Sequence, residues 1–185
     1  MNFTTIDFET ANYSRNSACA IGMVKYLNGK KAGTFYSLIR PPVLYIRPDF
    51  TAIHGLTVED VKDAPLFSEI WENKIFPFIG NLPLAAHNAQ FDINVLCSVL
   101  EYYEQDIPAF SYFCTCNLAR KCWPELKSHK LTLLAEHFGI KYNAHNALDD
   151  AETCGKIVLL AAKKYKAAYV DDLLEAANIM MKESV

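Results

Sequence analysis

The sequence predicts an α/β domain built on a mixed sheet, and three observations predict it. Three strand-like segments precede any helix, which reads as an antiparallel meander. After residue 51 helical and extended segments alternate, the pattern of a sheet with covering helices. The 185 residues are 51% hydrophobic and 21% charged, enough apolar mass to fill one core and too much for a disordered chain.

The elements follow in order. Residues Phe3 to Thr10 alternate, so Ile6 and Phe8 face one way while Asp7 and Glu9 face the other. Strand residues two apart lie roughly 6.5–7 Å from each other. These carboxylates therefore crowd near what reads as the N-terminal end of a core strand, a costly arrangement unless something positive lies between them. Ala18 to Tyr26 reads as a buried strand, Asn28-Gly29-Lys30-Lys31 as a turn, and Ala32 to Ile39 as the returning strand. Arg40-Pro41-Pro42 ends the meander, and an irregular loop runs to Pro48. The chain turns helical from Thr51, and Thr57-Val58-Glu59-Asp60 has the form of a helix start. A helix is predicted from about Leu66 to Ile79, with Ile70, Trp71, Ile75 and Phe78 at near-helical spacing. Pro83 to His87 is an apolar run of strand length, followed by a helix from about Gln90 to Glu104 and a strand around Phe110–Cys116. A short helix, an amphipathic one from Lys130 to Phe138 closed by Gly139, and a long one from about Ala147 to Tyr165 complete the alternation. A last helix is expected from about Asp171 to Met181. The expected organisation is one domain over 1–185, with a core of about 1–165 and a helical extension of about 166–185.

Bulk properties remove some function classes. The N-terminus has no basic region followed by an apolar run, and nothing approaches a membrane span, so a soluble, cytoplasmic protein with no membrane partner is expected. Cys19, Cys97, Cys114, Cys116, Cys122 and Cys154 form no C-x-x-C pair and are expected as reduced, buried thiols. The net charge of −3 neither favours nor excludes nucleic acid, because if four carboxylates were committed to a metal site the remaining surface would be near neutral.

Further acidic residues stand in unexpected places. Asp92 falls in the first turn of its helix on the stripe of Val95, Leu96 and Val99, so it faces inward. It follows the C-terminal end of a strand, the edge where α/β sheets place their sites. Asp150 shares a face with Cys154, Ile157, Val158 and Ala161 and also points inward. Its neighbour Asp149 aligns with Glu152, Thr153, Lys156 and Lys163 and should face water. His145 lies just ahead, placed to overhang the same cleft. Four inward carboxylates with no matching inward cations suit Mg²⁺ or Mn²⁺, and they could hold two ions about 3.5–4 Å apart. Such a pair serves in-line phosphoryl displacement, and a histidine beside it can take a water's proton.

Asp7-Phe8-Glu9-Thr10, His87-Asn88-Ala89-Gln90-Phe91-Asp92 and His145-Asn146-Ala147-Leu148-Asp149-Asp150 resemble the three motifs of the DEDDh 3′→5′ exonucleases. That family includes the epsilon proofreading subunit of bacterial DNA polymerase III and RNase T. His145 and Asp150 satisfy the family's His-x4-Asp; a Tyr in place of His145 would mark the sister subfamily. The resemblance, over about residues 1–165, implies an RNase H-like fold with a five-stranded mixed sheet flanked by helices. It implies two-metal hydrolysis of a 3′-terminal phosphodiester with release of nucleoside 5′-monophosphates, with single-stranded DNA as the favoured substrate; the alternatives are an RNA-trimming exoribonuclease of the same family and a catalytically silent, polymerase-associated binding module. It assigns Asp7, Glu9, Asp92 and Asp150 to two Mg²⁺ or Mn²⁺ ions and His145 to the general base. Ala52-Ile53-His54-Gly55-Leu56-Thr57 resembles a segment that packs on the terminal nucleotide, which nominates His54. Thr10, Asn88 and Phe91 are the other substrate contacts it suggests, Phe91 being equally at home in a core. Lys127 and Lys130 stand where they could meet a phosphate. The segment Asp171–Met181 has three readings: docking on the domain itself, on a partner such as a DNA polymerase catalytic subunit, or on a second copy in a homodimer.

Overall fold

The computed structural model describes residues 1–184. Strands β1 (Phe3–Thr10), β2 (Ala18–Leu27) and β3 (Lys30–Leu38) form the expected meander. The β2–β3 turn is Asn28-Gly29, both at positive φ (52° and 72°), which is the backbone a tight two-residue hairpin needs and which Asn and Gly tolerate. β4 (Leu84–Ala86) adds parallel to β1, and β5 (Ser111–Cys114) parallel to β4. The sheet runs β3-β2-β1-β4-β5 with one further strand beyond β5, so β1 is internal, with an antiparallel neighbour on one side and a parallel one on the other.

The sheet has six strands where five were expected. The sixth, β6 (Lys182–Glu183), pairs antiparallel with β5. The C-terminal segment is helical only over Val170–Ala176; Asn178 then takes a positive φ (52°) and the chain runs extended along β5. An open sheet edge presents unpaired backbone groups; here the Ser184 N–H donates to the Phe110 carbonyl at 3.0 Å. A two-residue pairing leaves no periodicity to read. Val170, Leu173, Leu174 and Ala177 are buried, so this segment docks on the domain itself.

Helices cover both faces. Ile6 and Phe8 meet α3 (Phe67–Ile70) and α5 (Gln90–Tyr102) on one side. Phe3, Val24 and Tyr26 meet α6 (Thr115–Cys122), α7 (Leu131–His137), α8 (Ala147–Tyr165) and α9 (Val170–Ala176) on the other. Burying each large apolar side chain stabilises by about 1.5–3 kcal/mol, and this covers both faces of β1 except at Asp7 and Glu9, which are half-buried. Between the meander and α3, α1 (Pro48–His54) and α2 (Val58–Val61) pack through Phe50 and Val61, together with Ile46 of the preceding loop, onto Ala11 and Cys19. The predicted start of α2 is present: the Thr57 N–H donates to Asp60 Oδ2 at 2.7 Å.

The helix expected over 66–79 is broken into α3, a π-helical turn at Trp71–Ile75, and α4 (Phe76–Ile79). Pro77 lacks an N–H and crowds the preceding turn, which a widened turn accommodates. All six cysteines are free thiols, but Cys97 and Cys114 are only half-buried where burial was expected. Among the described residues no helix is long and apolar enough to cross a membrane.

Candidate active site

Asp7 and Glu9 project from β1 on the face that carries Phe3, toward α8. They lie in the C-terminal half of β1 rather than near its N-terminal end, because the strand begins at Phe3. That is the edge at which β1 and its parallel neighbour β4 finish. A register shift between Glu9 and Thr10 bulges the strand just there, a device that re-aims side chains.

Asp150 arrives from the first turn of α8. The Asn146 side chain caps this helix by accepting the Asp149 N–H at 3.2 Å. Gly22, opposite Asp7 in the β1–β2 register, lets the helix start settle on the sheet: a Cβ there would stand 2.2 Å from the Ala147 backbone. At Gly155 a Cβ would stand 2.3 Å from the Tyr26 ring, so a second glycine holds α8 close. Carboxylate oxygens of Asp7, Glu9 and Asp150 consequently lie within 4.8 Å of one another. Asp92 stands beside this trio rather than in it. It is 1% exposed, and its Oδ1 accepts the Phe8 N–H at 3.1 Å. The helical-face argument found its inward direction, but its tie to β1 was not legible.

The trio is starved of positive charge, since no lysine or arginine lines the cleft. Burial first, then Asp92, Asp150 and Glu9, hold the Asp7 carboxyl well above the ordinary range. Burial, then Asp150 and Asp92, push Glu9 to about 8. Burial lifts Asp92 to about 8 against the pull of the Phe8 N–H. It lifts Asp150 to about 6, opposed by the His145 backbone and imidazole. Carboxyls in this state keep protons unless a cation takes their place. Hard oxygen donors at this spacing fit a hard divalent cation.

Three histidines surround the cleft: His54, His87 and His145. The Leu56 N–H donates to His54 Nδ1 at 3.1 Å, so Nε2 carries the proton and donates to the Thr10 carbonyl at 3.2 Å. Burial lowers the His54 pKa, and nearby His145 adds to this. His87 Nε2 donates to the His129 carbonyl at 2.8 Å and Nδ1 pairs with the Thr115 hydroxyl at 3.0 Å; burial brings its pKa down to about 4. The polar atoms of both rings are thus spent on holding the fold. Of the three cleft histidines, only His145 has a ring with no hydrogen-bond partner among the described residues. It is exposed, with φ 64°, and that left-handed backbone turns its side chain into the cleft.

The other expected residues divide. Thr10 lines the cleft, but His54 occupies its carbonyl. Phe91 is 45% exposed and lines the cleft, so it is not core. With Phe50, Ile53 and Leu131 it makes an apolar wall in a cavity of about 290 Å³. Asn88, at φ 74°, lies outside this cleft and lines a neighbouring cavity with Lys127 and Lys130. Asp149 is outside the trio as expected, yet it does not simply face water: it is half-buried, and its Oδ2 accepts the Asn143 N–H at 3.1 Å. Thr153, on the same supposed outer stripe, is fully buried because α6 and α7 also pack on α8.

Sequence reasoning passed over Phe50, Leu131 and Tyr142, and quoted His87 only as part of a motif. The Tyr142 hydroxyl is buried with no partner in hydrogen-bond geometry; burial, then Asp150, push its pKa up to about 12. It lies in an irregular loop, where no periodicity announces a direction.

The RNase T exonuclease family model matches residues 4–158. The PolC-type DNA polymerase III of Caldanaerobacter subterraneus is 30% identical over 186 residues, 99% of this chain but 13% of that protein. The DNA polymerase III subunit epsilon of Buchnera aphidicola is 32% identical over 156 residues, 80% of this chain and 66% of that one. Among solved structures, exonuclease X in complex with 5′-overhanging duplex DNA superposes with a TM-score of 0.73 and 23% identity, covering 95% of this chain and 99% of that one. The nuclease domain of 3′hExo, a DEDDh family member bound to rAMP, gives 0.78 at 16% identity, covering 100% and 97%. The fold is therefore the RNase H-like exonuclease fold, and the chain belongs to the RNase T-type exonuclease family.

Proposed function

We propose that this chain is a divalent-metal-dependent 3′→5′ exonuclease, one domain with its catalytic core over about residues 1–165, that releases nucleoside 5′-monophosphates from single-stranded DNA. The observation that carries the reading is the convergence of Asp7, Glu9 and Asp150, whose oxygens lie within 4.8 Å, beneath an unpaired His145 imidazole. Asp7, Glu9 and Asp150, with Asp92 at their side, would hold two Mg²⁺ or Mn²⁺ ions. The chemistry such ions supply when bound is a water nucleophile at neutral pH and stabilisation of the attacking and leaving oxygens.

The chain's own residues do the rest. His145 takes the proton of the attacking water, a role that His54 and His87 cannot fill with both ring nitrogens engaged. Phe50, Ile53 and Phe91 offer an apolar wall to the terminal base and sugar. His54 presents its ring to the cleft while pinning α1 to the end of β1, and Thr10 lines the floor. Relatives named as DNA polymerase III proteins support DNA in a proofreading or repair setting.

The test is a time course on 3′-labelled and 5′-labelled single-stranded DNA and RNA of one sequence, with Mg²⁺, with Mn²⁺ and with EDTA. Metal-dependent monophosphate release with a ladder shortening from the 3′ end is expected, faster on DNA. No hydrolysis of either polymer by folded protein would sink the proposal; a faster RNA reaction would replace the substrate.

A further inference from the structure

The catalytic cleft has a deficit that its neighbourhood supplies. A nucleic-acid strand brings one negative charge per phosphate, yet the cleft is lined by three carboxylates and no lysine or arginine. Beside it lies a second cavity of about 430 Å³, lined by Arg120, Lys127 and Lys130 with Ser128 and Asn88, and by no carboxylate. The two cavities share a wall residue, His87, and so adjoin at the C-terminal end of β4.

All three cations are exposed, and none forms an ion pair among the described residues. The segment that carries two of them is nonetheless fixed. His87 Nε2 donates to the His129 carbonyl at 2.8 Å, and His129 Nε2 donates to the Trp123 carbonyl at 2.9 Å. Arg120 is steadied by its own bond to Asn117 Oδ1 at 2.7 Å. Three unneutralised cations on a braced frame, next to a site that itself repels phosphate, form a track for a polyanion.

Resting on the exonuclease reading above, we propose that the cavity of Arg120, Lys127 and Lys130 binds the phosphodiesters on the 5′ side of the scissile one. The strand then enters across His87 and threads only its last nucleotide into the carboxylate cleft. Affinity comes from this track and cutting from the cleft, so substrates too short to reach the track are handled poorly.

The experiment uses the full chain and its Arg120→Gln/Lys127→Gln/Lys130→Gln variant, whose unchanged melting temperature is checked first. Binding of 5′-fluorescein-labelled dT12 is followed by anisotropy in EDTA, where nothing is cut, across a sodium chloride series. Each phosphate contact on a single strand contributes about 0.7 to the slope of log affinity against log salt. The variant's slope should therefore be shallower by about 2. With Mn²⁺, kcat/KM of the wild type should climb from dT2 to dT4, and the variant should flatten that climb. An identical slope together with an identical length profile would overturn the proposal. Should the wild type cut none of these oligonucleotides, the exonuclease reading fails, and the slope in EDTA still decides whether the cavity holds the strand.

Discussion

Gly22→Ala tests how the site is assembled without touching any of the proposed ligands. The added Cβ would lie 2.2 Å from the carbonyl carbon and oxygen of Ala147 and 2.3 Å from the Leu148 nitrogen. Ordinary contact begins at 3.4 Å, so the start of α8 must lift by about 1 Å; backbone atoms cannot rotate aside as a side-chain tip can. Overpacking of this kind costs about 1–3 kcal/mol. At about 2–4 °C per kcal/mol for a chain of this size, the melting temperature should fall by about 2–12 °C. His145 precedes the lifted residue by two positions and Asp150 follows it by three. Both would move away from Asp7 and Glu9, and a 1 Å misplacement costs about 10²-fold in rate. The assay is kcat/KM for release of the 3′-terminal nucleotide at saturating Mn²⁺, beside thermal unfolding. Gly33→Ala is the control, since its Cβ would meet only the Phe78 ring at 3.5 Å. If Gly22→Ala kept its rate within twofold while Gly33→Ala behaved alike, the close approach of α8 would not be what positions Asp150.

Other perturbations have signs that follow from the same geometry. Asp7→Ala should abolish hydrolysis and weaken metal binding, measured by calorimetry, while the fold persists because carboxylate crowding is relieved; near-full activity would refute its role as a ligand. His145→Ala should slow turnover by about 10²–10⁴-fold with metal binding retained, and an unchanged pH–rate profile would remove it from the mechanism. His145→Gly should lose as much rate yet be more stable than His145→Ala by about 1 kcal/mol, since φ 64° strains any residue with a Cβ. Glu9 and Asp92 near 8, with Asp7 raised as well, mean that the metal-free folded chain holds more protons than the unfolded one between about pH 4 and 8. Its stability in EDTA must then fall as pH rises through that window. Asp7→Asn relieves part of this, so its melting temperature should gain on the wild type from pH 5 to 8; a constant difference would show that the carboxyls are not coupled.

Much of the site was legible because its signals are local. Alternation along β1 put Asp7 and Glu9 opposite Ile6 and Phe8, and the two sides do meet different helices. The helical period separated Asp150 from Asp149, and His-x4-Asp placed a histidine where a loop could swing it over the carboxylates. The meander and the Asn28-Gly29 turn were read the same way, each from a handful of consecutive residues.

What the chain does between elements was not legible. That Phe8 would claim an oxygen of Asp92, that Thr10 would occupy His54, and that Asn88 would open on a different cavity from Phe91 all depend on partners far away in sequence. The sixth strand rests on backbone groups that β5 leaves open, not on any preference of Lys182 and Glu183. The sequence by itself determined which chemical groups face inward and in what order, because a side chain's direction follows from the repeat of its own strand or helix. Only the tertiary structure decided which of those groups come within bonding distance and which remain free for substrate. Those distances are set by how closely helices settle on the sheet, as Gly22 permits for α8, and by competition for hydrogen bonds that exists only once the elements are packed.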